Sequence, residues 1–135
     1  MVQDGDKITA AAYVRVAPGD DLGERKAEIQ RAVIRKYAAR RGLIIPDEYW
    51  FIDECSGLKG DRPGLQQVLR LSRERKIQAV LVSHLSALHR YVPTLIRVIR
   101  ALDKDGVEVV PILEGPVLDA FLDAFSRAAG GSLAV

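Results

Sequence analysis

The chain has 135 residues, of which 48% are hydrophobic and 28% are charged, and its formal net charge at pH 7 is +2. These values fit one globular domain with a core of ordinary size and exclude a disordered chain, which would carry fewer aliphatic residues and more net charge. A net charge of +2 is also far below that of proteins whose overall charge drives binding to nucleic acid.

The cysteine count and the N-terminal residues bear on the compartment. Cys55 is the only cysteine, so neither an intrachain disulfide nor a cysteine-based metal site is expected. Residues 1–6 are polar and acidic, unlike a signal peptide, and no apolar run approaches the roughly 20 residues that span a bilayer. We therefore expect a cytoplasmic protein that does not contact a membrane.

The first half of the chain predicts a strand, a helix and a second strand. Residues 8–16 are rich in alanine and β-branched residues and lack a helical period, which is typical of a buried strand. Apolar residues recur at helical spacing over 29–38, and Gly42 is a natural C-terminal cap. The apolar runs 43–45 and 49–52 predict the second strand and its approach.

The second half continues the alternation. Residues 63–71 predict a helix, because the proline that begins this segment is tolerated in a first turn. The near-continuous apolar run 77–82 is typical of a strand buried on both faces of a parallel sheet. A helix is predicted over 95–102 and a last strand over 107–113, in which Pro111 favours a position at the sheet edge.

Strands that alternate with helices in this way predict βαβ units. We therefore expect an α/β fold with a mostly parallel sheet of four to five strands, covered by helices. The predicted organisation is a single domain over 1–135, with a core α/β unit over 7–114 and a short helix over 116–129. The apolar face of that helix contains Leu118, Leu122 and Phe125. Such a face could pack on the domain's own sheet or on a second copy.

Four short segments carry a family resemblance: residues 13–17 (YVRVA), 53–57 (DECSG), 61–65 (DRPGL) and 86–90 (SALHR). Together they resemble the N-terminal catalytic domain of the serine recombinases, the resolvase/invertase family. The resemblance extends from about residue 10 to residue 114 and implies a resolvase-like fold.

The resemblance also implies which residues bind phosphate. In the family, an arginine two residues before a nucleophilic serine helps to bind the scissile phosphate, and Arg15 occupies that position. Arg62 and Arg90 match two further arginines, and Gln30 matches a glutamine on the following helix. The family serine attacks a DNA phosphodiester and forms a 5′-phosphoserine linkage without a metal ion. Arginines must therefore neutralise the charge of the transition state.

Three positions depart from the family pattern. Ala17 stands where the family has its serine, Ser86 where it has an aspartate, and Ala87 where it has an arginine. Alanine has no atom that can attack phosphorus, so we predict no intact catalytic residue and no strand exchange. A substitute hydroxyl from Ser56, Ser83 or Ser86 is disfavoured, because attack must occur in line with the leaving group.

The retained arginines leave two interpretations open. They could converge at the carboxyl ends of the strands and bind a phosphate, since open α/β sheets place their ligands there. Alternatively, they could be relics that pair with Asp53, Asp61 or Glu114.

Two other groups of residues invite a functional interpretation that the sequence does not favour. His84 and His89 flank Ser86, but no carboxylate motif accompanies them, so no metal and no cofactor is predicted. Trp50 lies between Tyr49 and Phe51. Alternation along a strand explains these aromatic residues more simply than a base-stacking platform does.

The favoured hypothesis is a pseudoenzyme of the serine recombinase family, a catalytically inactive binding, regulatory or oligomerisation module related to DNA recombination. A homo-oligomer or a protein partner is expected. DNA is a candidate partner through backbone contacts that are weak alone, because no C-terminal DNA-binding domain is predicted after residue 129.

Two alternatives stay open. The first is a subunit or fragment of a functional site-specific recombinase that exchanges DNA strands through phosphoserine chemistry. The second is a domain that binds a small anion or nucleotide, which the absence of a glycine-rich phosphate loop disfavours.

Overall fold

A computed structural model describes residues 7–56 and 61–114. Its strands and helices are β1 (Ala10–Val16), α1 (Gly23–Arg41), β2 (Trp50–Glu54), α2 (Pro63–Arg73), β3 (Ala79–Val82), α3 (Val92–Lys104) and β4 (Glu108–Pro111). Short 3-10 turns at Asp47–Tyr49 and Leu85–Ala87 precede β2 and follow β3. The helix predicted over 116–129 lies outside the described residues, and the single-domain organisation stays a prediction.

The four strands form one parallel sheet in the order β2-β1-β3-β4. This confirms the predicted α/β class with a parallel sheet covered by helices. Pro111 lies in β4, at the edge of the sheet, as the sequence predicted. An edge strand tolerates a residue that has no N–H to donate to a neighbouring strand.

The helices cover opposite faces of the sheet. Because side chains alternate along a strand, Ala10, Ala12 and Val14 of β1 pack against α1, whereas Ala11 and Tyr13 pack against α2 and α3. Among the described residues, no helix is both long and apolar enough to cross a membrane.

Some element boundaries differ from those predicted. The run 43–45 forms no strand of its own, since Ile44 makes only an isolated bridge to Thr9. The 3-10 turn Asp47–Tyr49 then precedes β2, which begins at Trp50. Helix α3 begins at Val92 and not at residue 95 as predicted. The proline in its first turn is compatible with this earlier start. Gly42 ends α1 with φ of 67°, as its predicted role as a cap requires.

The topology places a crevice at one end of the sheet. Strands β1 and β3 are neighbours, but the chain leaves β1 toward the face of α1 and leaves β3 toward the face of α3. Where two adjacent parallel strands are followed by connections to opposite faces, a crevice opens at their carboxyl ends. The segments 13–17 and 86–90 meet there.

Candidate functional site

An open cleft of about 430 Å³ lies at the carboxyl end of β1. Its lining includes Arg15, Ala17, Gln30, Ser56 and Arg90. The fold therefore brings three of the four predicted phosphate-binding residues together with position 17. Lys26 and Asp20 also line the cleft and form an ion pair at 2.6 Å. The cleft walls carry three cationic side chains and one carboxylate.

Arg15 is held by backbone carbonyl groups. Its Nε donates to the carbonyl oxygen of Ser86 at 3.3 Å, and its Nη1 donates to that of Cys55 at 3.1 Å. These acceptors are neutral, so they orient the guanidinium without cancelling its charge. Burial, together with the nearby charges of Arg62 and Arg90, lowers the pKa of Arg15 below its ordinary value. An anion in the cleft would relieve this excess of positive charge.

Gln30 lies on α1 and contacts the end of β1. Its Nε2 donates to the carbonyl oxygen of Arg15 at 3.1 Å. This bond fixes the backbone from which the Arg15 side chain extends. The predicted match of Gln30 to a family glutamine is therefore compatible with its place in the cleft.

Arg62 occupies a more interior position than the other arginines. Only 7% of it is exposed, and its Nη1 donates to the carbonyl oxygens of Ala87 and Leu88 at 3.0 and 2.6 Å. Its Nη2 donates to the carbonyl oxygen of Ser56 at 3.0 Å. Arg62 thereby links the segment after β2 to the segment after β3. Phosphate binding by Arg62 stays a prediction, and its contacts give it a positioning role.

A buried carboxylate connects β1, β2 and α2. Tyr13 donates its hydroxyl to Asp53 Oδ2 at 2.6 Å, and the backbone N–H groups of Gly64 and Leu65 donate to Oδ1 and Oδ2 at 2.8 and 3.0 Å. Asp53 thus caps α2 from another strand and places its negative charge at the positive end of the helix dipole. Burial and the bond to Asp53 raise the pKa of Tyr13.

The same contact explains a glycine in the 61–65 segment. A Cβ atom on Gly64 would lie 3.0 Å from Asp53 Oδ1 and 3.2 Å from its Cγ. Sequence reasoning did not single out Tyr13 as part of this arrangement. The available signal was a tyrosine within a buried strand, because a buried hydroxyl needs a hydrogen-bond partner.

Two of the three carboxylates considered as partners for the arginines accept hydrogen bonds from other groups. Asp53 accepts the three bonds described above, and Glu114 accepts the backbone N–H of Leu85. These donors are not the arginines, and whether the arginines bind an anion stays a prediction.

The other two altered positions line an adjoining side pocket of about 290 Å³. Ser86 and Ala87 belong to the 3-10 turn after β3, and both contribute to this pocket with His84. The side pocket shares Arg15, Lys26 and Gln30 with the cleft. All three altered positions therefore lie around Arg15.

His89 has a separate environment. Its Nδ1 accepts the backbone N–H of Tyr91 at 3.0 Å. Burial, followed by the charges of Arg62 and Arg15, lowers the pKa of His89 below its ordinary value of 6.5. Over residues 7–56 and 61–114, no three histidine, cysteine or acidic side chains form a group that could hold a metal ion.

Trp50 and Phe51 pack on opposite faces of the sheet, against the α1 side and the α2 side respectively. This confirms strand alternation for Trp50 and Phe51, whereas Tyr49 belongs to the 3-10 turn before the strand. The Trp50 ring also lies 5.2 Å from the guanidinium carbon of Arg35.

The fold is shared with the catalytic domains of serine recombinases. The catalytic domain of ISC1926 TnpA, an IS607-like serine recombinase, superposes with a TM-score of 0.71 at 24% identity, covering 93% of this chain and 85% of that one. The N-terminal catalytic domain of TP901-1 integrase gives 0.72 at 22% identity, with 90% and 94% covered. A resolvase family site-specific recombinase from Streptococcus pneumoniae gives 0.71 at 16% identity, with 94% and 91% covered.

The sequence identifies the family. Residues 10–129 match the family model of the resolvase N-terminal domain, so the chain belongs to that family. Curated proteins give no significant match. The chain is therefore a resolvase-like serine recombinase domain related to DNA recombination.

Proposed function

We propose that this domain is an inactive member of its family that binds the DNA backbone in the cleft at Arg15 but does not cleave it. The observation that carries the proposal is Ala17. It lies in the same cleft as Arg15, Arg90 and Gln30, at the position where the resemblance implies a nucleophilic serine. A methyl group cannot form the covalent bond to phosphorus that strand exchange requires.

The nearby hydroxyl groups do not replace the missing one. Ser83 is buried, and Ser86 lines the side pocket rather than the cleft that contains Ala17. Ser56 lines the cleft but follows β2, on the opposite side of β1 from the turn after β3. A hydroxyl on a different segment approaches from a different direction, and a misplacement of about 1 Å can cost roughly 100-fold in rate.

The charge of the cleft supports retained phosphate binding. Arg15 makes its hydrogen bonds with carbonyl groups, Arg90 is exposed, and Asp20 is matched by Lys26. The cleft therefore keeps a net positive charge directed toward the crevice. Arginine is suited to this role because its planar fork of donors matches the geometry of a phosphate.

The backbone-binding part of the proposal is tested with a labelled DNA duplex across a salt series. Arg90→Gln is expected to reduce the slope of log K against log salt by about 1, because one fewer phosphate is neutralised. Arg97→Gln, which removes the same charge from the exposed face of α3, is the matched control and leaves the slope unchanged. Equal slopes for wild type and Arg90→Gln would contradict binding at the cleft.

The loss of chemistry is tested by restoring the altered positions. The triple variant Ala17→Ser, Ser86→Asp, Ala87→Arg is compared with wild type for a covalent protein–DNA adduct on denaturing gels. We expect no adduct from wild type. A wild-type adduct would instead support the alternative of an active recombinase subunit with an unusual nucleophile.

Self-association is the second part of the proposed function. Tyr91 and Val92 are adjacent at the start of α3 and are 54% and 41% exposed, and large exposed apolar side chains that lie together often mark an interaction surface. Sedimentation of the full chain tests this. We expect an oligomer that dissociates in Tyr91→Ser, and a monomeric wild type at all concentrations would contradict it.

A further inference from the structure

The side pocket next to Arg15 differs in character from the cleft. Its apolar walls are Ile29 and Val33 of α1 and Leu113, which follows β4. Apart from the residues it shares with the cleft, its polar lining consists of Ser83, His84 and Ser86. The opening of the pocket is therefore apolar on two sides and cationic toward the cleft.

Two features of this pocket favour the binding of an apolar group. Ile29 and Leu113 are 56% and 55% exposed, although they line the same concave space. Ser86 and Ala87 line the pocket with small side chains, which leave the space open. Covering these aliphatic side chains with an apolar group is favourable, because it removes apolar area from water.

The volume of the side pocket and the residues that it shares with the cleft limit which ligands it can bind. A volume of about 290 Å³ is just below the range for small-molecule sites, roughly 300–1,000 Å³, so only a small group fits. The pocket and the phosphate cleft share Arg15, Lys26 and Gln30, so an anionic group at Arg15 is directly adjacent to the apolar walls. The matching chemistry is one phosphate joined to one uncharged group of modest size that has both apolar surface and polar atoms, as a nucleotide base does.

We propose that the side pocket receives the base of a nucleotide whose phosphate lies at Arg15. This rests on the proposed phosphate site and adds a base-binding part to it. The nucleotide could be free, or it could be an unpaired nucleotide within DNA. A paired base is a poor ligand, because it must first be unstacked and unpaired, and that cost is least for a base that is already unpaired.

Titration calorimetry with three soluble probes tests the base-binding part. The probes are inorganic phosphate, 2-deoxyribose 5-phosphate and thymidine 5′-monophosphate. We expect the mononucleotide to bind roughly tenfold or more tightly than deoxyribose phosphate, because only the former covers Ile29 and Leu113. Equal affinities for these two probes would overturn the proposal, since the base would then contribute nothing.

A pair of DNA duplexes distinguishes the two sources of the nucleotide. One duplex is fully paired, and the other contains a single unpaired thymidine. Tighter binding of the second duplex supports an unpaired nucleotide in DNA as the ligand. Equal binding of the two duplexes, together with tight binding of the mononucleotide, supports a free nucleotide.

A matched pair of variants locates the base. Ile29→Ser removes part of the apolar wall, and Ile52→Ser makes the same change at an exposed position on β2. We expect Ile29→Ser to weaken mononucleotide binding by roughly fivefold or more, with no change for inorganic phosphate, and Ile52→Ser to change neither. Unchanged mononucleotide binding in Ile29→Ser would overturn the assignment.

These outcomes separate the two proposals. If the paired duplex binds in a salt-dependent manner but the base adds no affinity, the side-pocket proposal fails and the phosphate cleft stands. If neither duplex nor any phosphate probe binds at low salt, the phosphate cleft fails, and the side-pocket proposal fails with it.

Discussion

Asp53→Asn tests the hydrogen-bond arrangement that holds α2 and Arg62 in place. The Asp53 carboxylate accepts three donors: the hydroxyl of Tyr13 and the backbone N–H groups of Gly64 and Leu65. An asparagine side chain has only one acceptor oxygen. In one orientation its NH₂ group faces the N–H of Gly64, and in the other it faces the N–H of Leu65 and the hydroxyl of Tyr13. Asp53 is only 3% exposed, so water does not readily replace the lost acceptor.

The magnitude follows from these contacts. A buried donor left without an acceptor costs about 1–3 kcal/mol, and hydrogen bonds to a charged group contribute more than neutral ones. Asp53→Asn is therefore expected to lower the free energy of unfolding by about 2–4 kcal/mol. For a chain of 135 residues this corresponds to a decrease in Tm of about 10 °C.

Denaturant unfolding followed by circular dichroism measures the effect. The matched control is Glu54→Gln, which makes the same acid-to-amide change at the next, exposed residue of β2. We expect the control to stay within about 0.5 kcal/mol of wild type. Tyr13→Phe provides a second variant. We expect the double variant to lose less unfolding free energy than the sum of the two single losses, because the two residues share a hydrogen bond.

Two results would refute this reasoning. One is an Asp53→Asn protein as stable as the Glu54→Gln control. The other is full additivity of Tyr13→Phe and Asp53→Asn, which would mean that the hydroxyl and the carboxylate do not interact in solution.

Three further predictions concern residues around the cleft. Gly64→Ala lowers the free energy of unfolding by about 1–3 kcal/mol in denaturant titrations, because its Cβ would lie 3.0 Å from Asp53; a neutral effect would contradict this close approach. Arg62→Lys lowers it by about 2 kcal/mol or more, since an ammonium group does not reproduce the fork that spans the carbonyls after β2 and β3; wild-type stability would contradict the linking role. For His89 the folded pKa is lowered, so the unfolded chain binds more protons and stability declines as pH falls below about 6.5. His89→Gln is expected to reduce the change in Tm between about pH 7.5 and pH 5.5, with His84→Gln as the control, and an unaltered pH profile would contradict it.

Local sequence signals predicted much of the fold. The helical spacing of apolar residues and Gly42 predicted α1 and its end, and Pro111 predicted the edge strand. The strand order β2-β1-β3-β4 was not predicted, because periodicity reports which face of an element is buried and not which strands are neighbours. The run 43–45 has strand composition, but the 3-10 turn at Asp47–Tyr49 leaves it with only one bridge.

The site was predicted in part, and the remainder depends on tertiary contacts. The 13–17 and 86–90 segments identified Arg15, Ala17, Ser86 and Arg90, and the fold places these residues around adjoining cavities. The interior role of Arg62 could not be predicted, because its acceptors are backbone carbonyls up to 26 residues away in sequence. Every residue has a backbone carbonyl group, so the sequence does not show which carbonyl groups accept hydrogen bonds from Arg62.

The pairing of Tyr13 with Asp53 was missed for a similar reason. The two residues are 40 positions apart and meet only because β1 and β2 are neighbouring strands. A buried tyrosine predicts that some partner exists, but it does not predict which one.

The most direct test of retained phosphate binding without cleavage is one binding reaction divided between two gels. Wild-type protein is incubated at low salt with a labelled pool of DNA duplexes, and the reaction is run on a native gel and on a denaturing gel. We expect a shifted complex on the native gel that weakens steeply as salt increases, and no labelled protein on the denaturing gel. A labelled protein band that survives denaturation would contradict the loss of the nucleophile, and the absence of any shifted complex would contradict retained phosphate binding.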